Sequence, residues 1–113
     1  MNLLLVDYLS DRVMFFIERF GHHNVDIEET SAGAIQRLED KAYDLIFIGG
    51  ELGGGGHGSD VAEWLADNPE NENFNSSIFI HAWSPIDVEV SMKALPQARY
   101  VPYDEAIYST LDI

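Results

Sequence analysis

The chain has 113 residues, 46% of them hydrophobic, which suits one folded domain over residues 1–113 and excludes a disordered protein. It has no cysteine, no apolar run near the roughly 18 residues of a membrane span and no signal-peptide pattern, so we expect an intracellular protein without disulfides or a membrane segment. Twenty acidic residues against six basic ones give a net charge of −14, which argues against direct nucleic-acid binding.

Five short apolar runs predict β-strands. They are residues 2–6, 25–28, 43–48, 78–80 and 99–101. The first and third runs are almost continuously apolar, which is typical of strands that are buried on both faces of a parallel sheet.

Amphipathic segments after each run predict helices. Each segment follows a residue that commonly caps a helix: Ser10, Ser31, Ser59, Ser84 and Asp104. The fourth start is the strongest, because Pro85 and Asp87 follow the capping serine. Residues 68–75 are polar and predict a loop.

Strands that alternate with helices predict right-handed βαβ units and an α/β fold with helices on both faces of a parallel five-stranded sheet. Ligands of such sheets bind beyond the carboxyl ends of the strands. Asp7, Glu51 and His81 follow three of the predicted strands, so we expect them near one another at this edge.

Six glycines lie between Ile48 and His57, directly after the third predicted strand. The segment lacks the Gly-Lys-Ser/Thr ending of a phosphate-binding P-loop. Its amides would suit an anion nest in front of the next helix, and the alternative is a loop that was shortened when a function was lost. Glu51 and His57 are the two residues of this segment with ionisable side chains, and they are its candidates for binding or catalysis.

Four strand ends resemble the receiver domains of two-component response regulators, and the resemblance covers essentially the whole chain. The matching segments are Leu4-Leu5-Val6-Asp7, Tyr43-Asp44-Leu45-Ile46-Phe47-Ile48, Ile78-Phe79-Ile80-His81-Ala82 and Val101-Pro102-Tyr103. The resemblance implies a doubly wound, flavodoxin-like (βα)5 sheet with strand order 2-1-3-4-5.

At the positions that carry receiver chemistry, the resemblance implies a loss of function. Asp7 keeps the first acid of the usual pair, but Tyr8 replaces the second. Gly49 stands at the phosphoaccepting aspartate, His81 at the switch hydroxyl and Val101 at the lysine. Glycine has no nucleophile, so aspartyl phosphorylation cannot occur at that position.

A closer resemblance is to cyclic-phosphate-processing receiver domains. Residues 49–53 are similar to an Asp-His-Asp-Leu-Gly loop, with Gly49 and Gly50 in place of the acid and the imidazole. Residues 58–65 match a Gly-x-Asp-Val-x-x-Trp-Leu helix start, and residues 81–85 and 92–95 match a His-Ser-x-Asn-Pro segment and a Met-x-x-Leu helix in part. This resemblance implies action on a cyclic phosphate.

The first functional hypothesis is a pseudo-receiver that binds proteins and is not an enzyme. Its surface would be the face of the fourth helix, fifth strand and fifth helix, with Met92, Leu95, Tyr100, Tyr103 and Tyr108. The acidity suits a basic partner, or it only keeps the protein soluble; mimicry of nucleic acid is weakened because the acids are scattered. Self-association is a further option.

The second hypothesis is a phosphoesterase-like enzyme, or a binder, of cyclic phosphates. Asp7 and Glu51 would hold Mg²⁺ or Mn²⁺ weakly, since two carboxylates are few for such a cation. His81 would be the acid–base catalyst, and the ligand contacts would come from His57, Trp83 and Ser84. The alternatives are a hydrogen-bonded structural role for Asp7 and His81, a solvated loop histidine at His57, and a Trp83 that covers the sheet edge or contacts a partner.

Overall fold

The computed structural model describes residues 1–8, 10–82 and 84–101 and contains one parallel sheet with helices on both faces. The strands are β1 (Asn2–Val6), β2 (Asn24–Glu28), β3 (Leu45–Ile48), β4 (Ser77–Ile80) and β5 (Arg99–Tyr100). Their order is β2-β1-β3-β4-β5, and every pair is parallel. The predicted doubly wound sheet and its strand order are confirmed.

Four of the five predicted helices lie in the part of the chain that the structure describes, and all four are present. They are α1 (Ser10–Phe20), α2 (Ser31–Asp40), α3 (Gly58–Asp67) and α4 (Pro85–Ala94), with short 3₁₀ turns at Gly53–Gly55 and Glu72–Asn75. The helix predicted after Asp104 lies outside the described residues. None of the described helices is long and apolar enough to cross a membrane.

The core lies on both faces of the sheet, because successive strand residues point to opposite faces. Leu4, Val6, Ile46 and Ile48 face the layer formed by α2, α3 and α4. On the other face, Phe47 contacts Phe16 of α1 with ring centroids 4.9 Å apart. The two-sided burial explains why the first and third strands are continuously apolar.

The starts of α1 and α2 differ from the prediction, as does the start of α3, which is described with the site below. Helix α1 already includes Ser10, so this residue does not precede the helix. Helix α2 is capped by Thr30 and not by Ser31, because the Thr30 hydroxyl accepts a hydrogen bond from the Gly33 N–H at 3.0 Å. Adjacent hydroxyl residues are equivalent in sequence, and the position of the chain decides which of them reaches the free amide.

The acids of β2 are partnered by basic residues of α2 and the segment that follows it. Arg37 Nε lies 2.7 Å from a Glu28 oxygen, and Lys41 Nζ lies 3.0 Å from an Asp26 oxygen. The Tyr43 hydroxyl donates to the same Asp26 oxygen at 2.7 Å and, together with Lys41, holds the pKa of Asp26 below its ordinary value. Two of the few basic residues are therefore engaged within the fold.

The polar segment predicted as a loop contains a buried anchor, Asn73, with 1% of its surface exposed. Its Nδ2 donates to the carbonyl oxygens of Leu38 at 3.0 Å and Lys41 at 2.8 Å, and its Oδ1 accepts from the Tyr43 N–H at 2.7 Å. The side chain therefore satisfies the Lys41 carbonyl oxygen and the Tyr43 N–H between α2 and β3, and it shares the Leu38 carbonyl oxygen with Asn71 Nδ2, which donates to it at 3.1 Å.

Replacing Asn73 with alanine is expected to lower the free energy of unfolding by about 2–4 kcal/mol, because three hydrogen bonds are lost and the Tyr43 N–H and the Lys41 carbonyl oxygen lose this partner. Urea unfolding followed by circular dichroism measures this loss. Asn75→Ala, at an exposed position of the same 3₁₀ turn, is the matched control. Equal losses in the two variants would contradict the anchoring role.

Candidate functional site

Asp7 follows β1 directly and is fully buried. Its Oδ1 accepts hydrogen bonds from the Tyr8 N–H at 2.8 Å and from Arg12 Nη2 at 2.9 Å. The Arg12 side chain, from the first turns of α1, is itself only 11% exposed. The central acid of the carboxyl edge is thus part of a buried ion pair. Arg12 was not among the predicted site residues, because its one signal in the sequence is a positive charge five positions after the strand-end acid Asp7.

His81 follows β4 and is 1% exposed. Its Nε2 lies 3.7 Å from Asp7 Oδ2, and its ring is hydrogen-bonded to the Val6 backbone. Burial, and then the nearby charge of Arg12, lowers the pKa of His81 to about 3. The imidazole is therefore neutral at physiological pH. The structure brings Asp7, Arg12 and His81 together.

Gly49 and Gly50 follow β3 at the same edge of the sheet, and only the position of the missing Gly49 side chain lies against Asp7. The Gly49 N–H donates to the Val6 carbonyl oxygen at 2.8 Å. A Cβ atom on Gly49 would lie 2.9 Å from that same oxygen and 3.5 Å from Asp7 Cγ. A Cβ on Gly50 would lie 2.9 Å from Asp87 Oδ2. Neighbouring atoms therefore pack tightly against the positions where side chains are absent.

The glycine loop is closed at its base by an antiparallel bridge between Glu51 and His57. The Leu52 N–H donates to the Gly56 carbonyl oxygen at 2.9 Å. At the tip, Gly54 and Gly55 have φ angles of 71° and 78°, which residues other than glycine rarely adopt. The loop is a small ordered hairpin.

The predicted metal pair does not share one environment. Asp7 is fully buried in its ion pair, whereas Glu51 is exposed at the base of the glycine loop. Within residues 1–8, 10–82 and 84–101, no group of three or more histidine, aspartate or glutamate side chains could hold a metal ion. The proposed Asp7–Glu51 cation site therefore gains no support from the geometry.

His57 connects the glycine loop to two helices. It is the residue before α3, and its N–H donates to the Asp60 carboxylate at 3.1 Å, so the predicted cap at Ser59 is wrong. Its Nδ1 lies 3.1 Å from Asp87 Oδ1 in the first turn of α4. The imidazole is half-exposed and links loop and helix.

Two further predicted ligand contacts lie between β4 and α4. Ser84 immediately precedes α4, as predicted, and Pro85 is the first helical residue. Trp83 lies outside the described residues.

The start of helix α3 packs directly against the backbone that follows β3. The Gly58 N–H donates to the Gly50 carbonyl oxygen at 2.6 Å. A Cβ on Gly58 would overlap the Gly49 carbonyl oxygen and lie 2.7 Å from Ile48 Cγ2. Close backbone packing therefore requires glycine at position 58, the first residue of the Gly-x-Asp-Val motif.

Helix α4 and strand β5 expose apolar side chains. Ile86 and Val90, one turn apart on α4, are 72% and 37% exposed, and Tyr100 of β5 is 46% exposed. We call these three residues the α4–β5 patch. Residues four apart lie on the same side of a helix, so Ile86 and Val90 present one continuous apolar strip.

The predicted interaction face needs correction at one residue. Leu95 is fully buried in the core and does not contribute to a surface. Met92 is partly buried and packs against the same core, while Tyr100 is exposed as expected. Tyr103 and Tyr108 lie outside the described residues. Ile86 and Val90 were missed because α4 carries apolar residues on more than one side.

No protein-family model matches the chain, and no curated protein matches it by sequence. Solved receiver domains share its fold. The phosphorylated cyanobacterial phytochrome response regulator RcpA is similar with a TM-score of 0.81 and 14% identity, over 96% of this chain and 86% of that one. A receiver domain of a signal transduction histidine kinase from Syntrophus aciditrophicus gives 0.78 and 13%, over 96% and 84%.

The Mn²⁺-bound form of response regulator Rcp1 gives a TM-score of 0.73 and 16% identity, over 96% of this chain and 86% of that one. At these identities the likeness shows the fold alone. The chain therefore has the receiver fold, as the strand-end segments predicted.

Proposed function

We propose that this domain is a regulatory protein-binding module that is not switched by aspartyl phosphorylation. The observation that carries the proposal is Gly49 at the end of β3, where the Val6 carbonyl oxygen and Asp7 pack against the position of a missing side chain. A residue without a nucleophile cannot accept a phosphoryl group. The receiver fold supports a signalling role, because response regulators such as RcpA and Rcp1 share it.

The α4–β5 patch is the proposed contact surface. Exposed aromatic and aliphatic side chains that adjoin charged residues are typical of the core and rim of protein interfaces. Exposed Glu89, Lys93 and Arg99 lie on the same two elements and would form such a rim. The apolar strip supplies contact area, and the charges fix orientation.

The net charge indicates the kind of partner. A domain with a charge of −14 attracts a basic protein at long range and repels a second copy of itself. We therefore favour a basic protein as the partner over self-association. Association should weaken as salt is added, because the long-range attraction is screened.

An enzyme acting on cyclic phosphates fits the site less well. That function needs an accessible acid–base residue and carboxylates that share a cation. His81 is 1% exposed, and Asp7 is buried beside Arg12. Glu51 is exposed at the base of the glycine loop. These placements weigh against catalysis by the predicted set.

Two measurements test the proposed function. Beryllofluoride with Mg²⁺, a mimic of the phosphoryl group, is expected to leave the backbone amide NMR signals of residues 6–8, 49–51 and 80–82 unchanged, whereas an ordinary receiver domain responds.

A photo-crosslinking residue at Val90 is expected to capture a basic protein in the host cell, and the same residue at exposed Glu63 of α3 is the matched control. Adducts should decrease at high salt.

A saturable beryllofluoride response that disappears in Asp7→Asn would contradict the absence of phosphorylation chemistry. Equal adducts at positions 90 and 63 would contradict the proposed surface. An adduct with the mass of two copies of the chain at position 90 would assign the patch to self-association.

A further inference from the structure

We propose that Arg12 is a built-in replacement for the divalent cation of receiver domains, so that the chain itself neutralises Asp7 and the carboxyl edge takes no metal ion. The fold implies such a cation, since the Rcp1 structure of the same fold is a Mn²⁺-bound form. The inference does not depend on which partner the domain binds.

The residues of this chain do not fit a divalent cation. Mg²⁺ and Mn²⁺ prefer several oxygen ligands from carboxylates, carbonyls and water. Asp7 is the one acid that the receiver resemblance leaves at this edge, since Tyr8 and Gly49 stand at the other acidic positions. His81 Nε2, which lies 3.7 Å from Asp7 Oδ2, belongs to a neutral imidazole and brings no further negative charge.

The guanidinium already supplies the counter-charge. Arg12 Nη2 lies 2.9 Å from Asp7 Oδ1, and both side chains are withdrawn from water. A buried carboxylate needs a paired charge or strong hydrogen bonds, and a charge-assisted hydrogen bond from arginine is among the strongest available. The Tyr8 N–H adds a second bond to the same oxygen at 2.8 Å.

A metal ion would have to displace this cation. In place, the Arg12 side chain is only 11% exposed and the Asp7 side chain is fully buried, so displacement would break a pair that is withdrawn from water. Separation of a buried ion pair leaves a charge without compensation, which is strongly unfavourable. The ion pair therefore fixes the edge in one charge state, whatever the concentration of Mg²⁺.

The experiment compares Arg12→Gln with Arg19→Gln, a change of the same type on the same helix. Arg19 lies with its guanidinium 4.8 Å from the centre of the Phe20 ring and is the matched control. Arg12→Gln is expected to lower the melting temperature by more than about 10 °C, since it leaves Asp7 buried and charged. Arg19→Gln is expected to lower it much less.

Metal response is measured on the native chain by adding MgCl₂ or MnCl₂ against NaCl at equal ionic strength. The melting temperature is expected to be the same in the three salts, and Mn²⁺ is expected to cause no selective broadening of the amide signals of residues 6–8, 49–51 and 80–82. Saturable stabilisation or broadening that disappears in Asp7→Asn would overturn the proposal. Equal losses in Arg12→Gln and Arg19→Gln would also overturn it.

The double variant Asp7→Asn/Arg12→Gln keeps the test decisive if Arg12→Gln does not fold. It removes both charges and places two amides within reach of each other, so it is expected to regain most of the lost melting temperature. A double variant that is no more stable than Arg12→Gln would show that the buried charge of Asp7 is not what Arg12 compensates, and the proposal would be wrong.

Discussion

Gly58→Ala is expected to destabilise the domain by at least about 3 kcal/mol, because overpacking of this kind has no flexible neighbour to absorb it. The added Cβ would overlap the Gly49 carbonyl oxygen and lie 2.8 Å from the Gly49 carbonyl carbon. These are backbone atoms at the end of a fully buried strand, so relief requires α3 to move away from β3. Urea unfolding of the two proteins measures the change.

Gly54→Ala separates this steric effect from backbone strain. Among the described residues, no atom lies within 4 Å of the Cβ that would be added at Gly54, but its φ of 71° disfavours a side chain. This variant is expected to cost only about 1–2 kcal/mol. If both variants cost the same, the close approach of α3 to β3 is not the reason for Gly58.

A second large effect is expected in the pH dependence of stability. Burial lowers the pKa of folded His81 to about 3, below its ordinary value of 6.5. Between these values the unfolded chain binds a proton that the folded chain does not, so stability falls as pH falls. The slope from one such group is about 1.4 kcal/mol per pH unit, or about 2 kcal/mol between pH 6.5 and pH 5.

His81→Gln removes this contribution, since glutamine does not titrate. The stability difference between the native chain and His81→Gln is therefore expected to change by about 2 kcal/mol when urea unfolding is measured at pH 7.5 and at pH 5. His22→Gln, a change of the same type at an exposed position, is the control. Parallel curves for native chain and His81→Gln would show that the imidazole titrates alike in both states.

The sheet could be predicted because burial on both faces leaves a simple trace in sequence. Residues 3–6 and 45–48 have no polar position, and each run stops where the chain reaches the edge of the sheet. The positions of Asp7 and His81 followed from the same reasoning, since parallel strands end at one edge. Their proximity in the structure agrees with that expectation.

Other features depend on contacts that a single sequence does not contain. Arg12 looks like an ordinary charged residue of an amphipathic helix until its distance from Asp7 is known. Asn73 lies among four similar asparagines, and only the position of the α2 terminus decides which of them is buried. Val90 and Leu95 are both aliphatic, yet one is exposed and the other is in the core, because α4 lacks a single apolar face.

The closed base of the glycine loop has a consequence for how this fold can change in length. Because Glu51 pairs with His57, the chain enters and leaves the Gly54–Gly55 tip at neighbouring points. Insertions at an exposed tip are tolerated better than elsewhere, and the entropy cost of closing a longer loop grows slowly with length. Evolution could therefore lengthen or shorten this loop, and an engineer could insert a tag there, while β3 and α3 keep their places.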